Sequence, residues 1–484
     1  MSVNRISKAS NLKNALLKEM KEKDTKSDIL QMLLHNGADP NLKDNEEKTA
    51  LHYAAEKGTL DICQLLLSNG ADPNIKSGFD AETALHYAAK KGKLDICQLL
   101  LSNGADPNIN SGCDAETALH YSASKGTLDI CQLLLSNGAD PNIKSGFEGK
   151  TALHYAAEKG KLDIFQLLLS YGADPNIIDG SLEETALHYV TGMYADEKGT
   201  LNICQLLLRN GANPNIKGGA YGQTALHYAA TLGRVDICQL LLRNRAYPDI
   251  KDNRFRKTAL HYAAADGALN MCKLLLSNGA DPNIKDSLLN ETALHYAAEI
   301  RRLDICQLLL SNGADPNIKC GFEGKTALHY AAEKGTLDIC QLLLSNGADP
   351  NVVNKYGKTA LHYAAEKGTL DICQLLLSNG ADPNIEVDLY KKTALHYATG
   401  KSKPDICHLL LSNGADPKVI GGVKTLWRIA FNDSDCSLKS LCRDVIREHL
   451  YYDHITNKFQ SINMPETLRQ YIIKYVRVTE PLSN

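Results

Sequence analysis

An all-α solenoid is the fold class that the sequence predicts, on three observations. The phrase T-A-L-H-Y begins at Thr49, Thr83, Thr117, Thr151, Thr185, Thr224, Thr258, Thr292, Thr326, Thr359 and Thr393, at intervals of 34, 34, 34, 34, 39, 34, 34, 34, 33 and 34 residues. Each is followed by a second apolar phrase, D-I-C-Q-L-L-L or a close variant, and then by G-A-D-P-N or a relative of it. Repetition at this period means one supersecondary unit stacked on itself, because a single small unit cannot bury both of its faces. Length therefore does not count domains here, and the 484 residues extend one architecture.

Within one unit the elements follow from the residues. Thr49 stands where an N-cap is needed, Leu51, Ala54 and Ala55 make a small apolar face that lets helices approach closely, and Gly58 supplies a left-handed stop. A second helix from Leu60 to Asn69 carries Leu60, Ile62, Cys63, Leu65, Leu66 and Leu67, an apolar surface too broad for an isolated helix, and Gly70 ends it. Ala71 to Glu82 has Pro, Asn, Gly and Asp at the density of turns, so a long hairpin-like loop joins one unit to the next.

The ends differ from the middle. Residues 1–35 read as amino-terminal capping helices in which Lys and Glu interrupt the apolar positions, and residues 36–423 hold eleven full repeats with partial ends. Residues 424–484 open with K-T-L-W-R-I-A-F, an echo of a further first helix, and then leave the pattern. In that tail Leu438, Leu441, Cys442, Val445, Ile446 and Leu450 share one helical face behind Ser437, and Leu468, Tyr471, Ile472, Tyr475 and Val476 share another behind Pro465. Two short helices are expected there.

Composition excludes several function classes. A net charge of −3 gives no basic excess for nucleic acid or an anionic membrane surface. No run nears the ~18–20 apolar residues of a membrane span. The opening M-S-V-N-R-I-S-K-A-S lacks the apolar core of a secretion signal, so a cytoplasmic location is expected, with the nucleus as a second candidate. Ten of the fourteen cysteines (Cys63, Cys97, Cys131, Cys204, Cys238, Cys272, Cys306, Cys340, Cys373 and Cys407) occupy one repeat position, and the unit that breaks the series has Phe165 there. A position that accepts Phe serves neither metal nor disulfide, so these read as core thiols. The eleven T-A-L-H histidines, from His52 to His396, stand one repeat apart without the convergent partners that a metal or a general base needs. There is no phosphate loop, H-E-x-x-H or nucleophile motif, and the chain reads as non-catalytic, with no cofactor and no small-molecule substrate.

Stacking alone would permit identical units, yet the loops vary while the helices hardly do. Loop tips carry Phe79, Phe147, Leu182, Tyr221, Phe255, Leu289, Phe322, Tyr356 and Tyr390. Aromatic side chains on variable loops suit a surface that binds a protein target, and Phe79, Phe147, Tyr221, Phe255, Phe322, Tyr356 and Tyr390 are the candidates; the competing reading is that they fold back onto neighbouring loops. Four breaks interrupt the series: an insertion at 190–199, Arg245 and Arg301 in place of helix-ending glycines, and Pro404 at the start of a helix.

Eleven units of this length with T-A-L-H and G-A-D-P-N resemble ankyrin repeats, whose signature is T-P-L-H-x-A near 33 residues; here Ala follows the Thr. The resemblance implies helix pairs with projecting loops, and a His that ties neighbouring loops together by hydrogen bonds. The tail resembles a SOCS box. S-L-x-x-x-C-x-x-x-I at Ser437, Leu438, Cys442 and Ile446 is similar to the element that docks Elongin C, with Leu441 and Val445 on the same face. Ile462, Met464, Pro465, Leu468, Tyr471 and Ile472 resemble the cullin-docking element, L-P-Φ-P with a Leu and an aromatic-aliphatic pair after it, and Asn463 replaces the first Pro. Together these imply a substrate receptor of a cullin-RING ubiquitin ligase, with Elongin B/C, a cullin and an unknown target as partners. Alternatives are an ankyrin scaffold whose tail is only a cap, or an F-box-like adaptor, to which M-P-E-T-L-R-Q-Y-I-I-K-Y-V has a loose likeness.

Overall fold

The computed structural model describes residues 15–22, 26–192, 197–387 and 391–416. Tyr390 and all the expected Elongin-docking and cullin-docking residues lie outside the described residues. The chain divides into two compact units, one up to Ala259 and one from Leu260. Regular structure among the described residues is helical, apart from single bridges such as Gly218–Gln223 and Cys320–Lys325 that pinch the loops into hairpin-like turns.

In the first unit a short helix at 15–21 and the helix Ser27–His35 precede the full repeats. Leu16, Met20 and Leu30 are fully buried. The first complete repeat sets the pattern: Ala50–Lys57, capped by extended Thr49 and ended by Gly58 at φ 77°, then Leu60–Ser68. Both helices are too short to persist alone in water. They persist because first helices pack on first helices and second on second along the unit, as from Ala50–Lys57 to Ala84–Lys91 and from Leu60–Ser68 to Leu94–Ser102.

The packing surfaces match the residues that form them. Ala54 and Ala55 are fully buried, which permits close approach, while Ile62, Cys63, Leu66 and Leu67 fill the space behind. Leu60 departs from the expected apolar face: it opens the second helix and remains 40% exposed. Phe165 takes the cysteine position of its repeat and is completely buried, as the core reading of that position requires.

The second unit repeats the scheme, with pairs such as Ala327–Lys334 and Leu337–Ser345 packed on Ala360–Lys367 and Leu370–Ser378. Its last described helix, Pro404–Ser412, takes Pro404 at the first helical position, where a missing N–H costs nothing.

The breaks are absorbed locally. Arg245 and Arg301 keep the left-handed backbone of the glycines they replace, at φ 66° and 62°. The insertion is not confined to the turn between helices, because its end joins the second helix, Glu197–Arg209, which has 13 residues where its neighbours have 9.

Candidate protein-interaction surface

Three hydrogen-bonded layers fix the loops. The first is built on the T-A-L-H histidine. The backbone N–H of Thr49 donates to His52 Nδ1 at 3.0 Å, so Nδ1 is unprotonated and the proton sits on Nε2. Nε2 donates onward to the carbonyls of Ile75 and Glu82, both at 3.0 Å, in the next loop. His thus replaces the usual Glu of a capping box and spends its second nitrogen on the neighbouring repeat. The arrangement recurs at His86 to Glu116, His120 to Ile143 and His154 to Glu184, and in the second unit at His295 to Ile318 and His329 to Lys358. Each ring also meets the next repeat's tyrosine edge-on, as His52 does Tyr87 at 5.8 Å. Burial pushes the His52, His86 and His120 imidazoles down to about 4, which keeps them neutral and committed to this role.

The second layer is an asparagine ladder. In G-A-D-P-N, the Asp72 carboxylate accepts the N–H of Asn74 at 2.9 Å. Asn74 then bridges to the next repeat, donating from Nδ2 to the Gly104 carbonyl at 2.9 Å and accepting the Asp106 N–H at 2.8 Å. Asn108, Asn142 and Asn176 continue it, and Asn317, Asn351 and Asn384 do so in the second unit. The repetition of G-A-D-P-N marked this position as structural, but the amide's two-way reach was not evident from the sequence.

The third layer holds the loop tips themselves. In the first unit one backbone bond joins each tip after the first to the one before it, as from Gly112 N–H to Asp80 O at 2.6 Å, Gly146 to Asp114 at 2.5 Å and Gly180 to Glu148 at 2.7 Å. At Gly112 and Gly146 the approach is too close for a side chain, since a Cβ would lie 2.6 Å from the Phe79 carbonyl oxygen and 2.5 Å from that of Cys113. The tips of a unit therefore form a ledge, fixed from below by the histidines and along its length by backbone.

The aromatic candidates divide on the ledges of the two units, each taken by itself. Phe79, Phe147 and Phe322 project into solvent, 88%, 92% and 80% exposed, and Tyr356 is largely exposed. Folding back accounts for Tyr221 and Phe255, whose rings lie 5.9 Å apart with the Arg254 guanidinium over both. Leu289 is half-buried and its neighbour Leu288 is the exposed residue of that tip. Tyr247 is also exposed although it was not among the candidates; its signal was an aromatic where other units have the Asp of G-A-D-P-N. Among the described residues no cluster of metal-ligating side chains occurs, and no helix is long and apolar enough to cross a membrane.

Comparison with known proteins agrees with this construction. The family model described as ankyrin repeats (3 copies) matches residues 20–111, 108–179, 192–286, 248–320, 283–354 and 328–420. No curated protein matches the chain. Among solved structures, the crystal structure of the ankyrin repeat domain of Bcl-3, described as a unique member of the IkappaB protein family, is 28% identical, covering 47% of this chain and 98% of that one with a TM-score of 0.41. The repeated helix pairs, the histidine and asparagine bridges and a family model spanning most of the sequence lead to one assignment: the chain belongs to the ankyrin repeat family and is built as a protein-interaction scaffold.

Proposed function

We propose that this protein is a non-catalytic receptor that holds a target protein on its loop tips and, through its tail, brings that target to a cullin-RING ubiquitin ligase. The observation that carries target binding is the exposure of Phe79, Phe147 and Phe322 on loops held in place on both sides. Large apolar groups displayed on a rigid support lose little entropy when they bind. The ligase half of the reading rests on the sequence of the tail, where Leu438, Cys442 and Ile446 have the spacing of one helical face and resemble an Elongin-docking element. The chain's own contribution is proximity, which raises the effective concentration of target at the ligase without any chemistry of its own.

A pull-down of purified Elongin B and C tests the tail. The intact chain captures the pair, and a Leu438→Asp, Cys442→Asp double variant loses it while its circular dichroism is unchanged. Absence of capture by the intact chain would leave an ankyrin scaffold and remove the ligase from the account.

A further inference from the structure

The exposed aromatic residues of the first unit do not stand alone. Reading the tips in order, Glu46 and Glu47 are followed by Phe79 with Asp80, Cys113 with Asp114, Phe147 with Glu148, and Leu182 with Glu183, and all of these side chains are exposed. Four successive tips thus present an apolar or soft group beside a carboxylate, after a first tip that carries carboxylates alone, and no lysine or arginine occupies a tip position among them. The nearby cations lie at the loop bases, where some pair with part of the row: Lys43 reaches Glu47 at 3.5 Å, Lys48 reaches Glu46 at 3.8 Å and Lys150 lies between Glu148 and Glu158 at 2.9 and 2.5 Å, while Lys76 donates to the Asn110 carbonyl at 2.8 Å. Asp80, Asp114 and Glu183 have no ion-pair partner among the described residues. The sign of the row reverses at the tip that carries Arg254, Phe255 and Arg256.

We infer that residues 46–183 of this ledge bind an extended segment of a partner protein in which basic and apolar side chains are interspersed. This rests on the loop ledge being the target-binding face and names the chemistry of what it takes. The unpaired carboxylates Asp80, Asp114 and Glu183 attract cations and repel an acidic chain, while Phe79 and Phe147 require apolar area opposite them. Packed helices lie about 8–10 Å apart, so five tips span on the order of 40 Å, which roughly 12 residues of extended chain cover at about 3.3 Å each. The backbone bonds between tips keep this row in register, so a partner meets it without ordering loops first. Arg254 and Arg256 mark where a basic segment ceases to be favoured.

The test is selection of a phage-displayed library of random 16-residue linear peptides on the intact chain. The enriched peptides are then measured against two variants, Phe79→Ala with Phe147→Ala, and Asp80→Lys with Asp114→Lys and Glu183→Lys; all five positions are exposed, and an unchanged thermal melt verifies the fold. Enriched peptides rich in Lys or Arg and in apolar residues support the inference if each variant weakens them about tenfold or more and rising salt weakens them further. Enriched acidic or uncharged peptides that the Phe variant weakens but the Lys variant does not would overturn the basic partner and leave the ledge as the binding face. Peptides indifferent to both variants, or no enrichment at all, would overturn both.

Discussion

At the scale of single residues the histidine bracket carries the strongest consequence. His52 and its equivalents are neutral in the folded chain down to about pH 4, whereas in the unfolded chain they take up protons from about pH 6.5 downward. Between those values the unfolded state binds more protons, so stability falls as pH falls and is fully present above about pH 7. At pH 5 each such histidine costs about 2 kcal/mol. Urea titrations followed by circular dichroism at pH 7.5 and 5.0 should show a large loss of midpoint at the lower pH; equal midpoints would contradict the bracket. A second consequence lies at Arg245, where a left-handed backbone carries a side chain. Arg245→Gly should raise stability by about 1 kcal/mol, read as a higher midpoint in the same titration. The sequence disclosed this strain directly, since a glycine position occupied by Arg is visible without coordinates. It did not disclose which way Phe255 turns, because that depends on Arg254 and on Tyr221 one repeat away.

The helices of the first full repeat were legible to within a residue, whereas the 13-residue helix Glu197–Arg209 after the insertion was not. Thr49 and Gly58 bracket the first helix as expected, and the small-residue face of Ala54 and Ala55 is its packing face. Identical core phrases stack in identical ways, so the recurrence of T-A-L-H-Y located the eleven full repeats. Exposure of individual side chains was harder to read, since Leu60 and Leu66 are the same residue in one helix, yet one is 40% exposed and the other fully buried. The cysteines give a direct check of element packing. Burial pushes the Cys97 and Cys340 thiols up to about 12, while Cys113 is on an exposed tip. Brief alkylation at neutral pH followed by peptide mapping should label Cys113 and leave Cys97 and Cys340 unlabelled until denaturant is added; prompt labelling of Cys97 would contradict the packing. Between elements, Gly112→Ala should break the bond to the Asp80 carbonyl and push the neighbouring tips apart. The expected outcome is a loss of at least about 1 kcal/mol and faster amide exchange at Gly112 and the tips beside it, with the helices unchanged.

For the whole molecule, the claim is a division of labour between a repeat array that holds a target and a tail that holds a ligase. Array stability is a sum of repeat and neighbour terms, so one weakened repeat softens its own region before the rest. The family and its stacking were open to sequence reading because repetition multiplies every signal eleven times. Which tip aromatics stand free was not, because the tips are the part of each unit that does not repeat. The most direct measurement is proximity-labelling mass spectrometry in cells on the intact chain, a Phe79→Ala, Phe147→Ala, Phe322→Ala variant and the Leu438→Asp, Cys442→Asp variant. The account predicts two separate losses: the tip variant sheds target proteins and keeps Elongin B/C and a cullin, and the tail variant does the reverse. A tip variant with an unchanged set of neighbours, or a tail variant that keeps Elongin B/C, would contradict it.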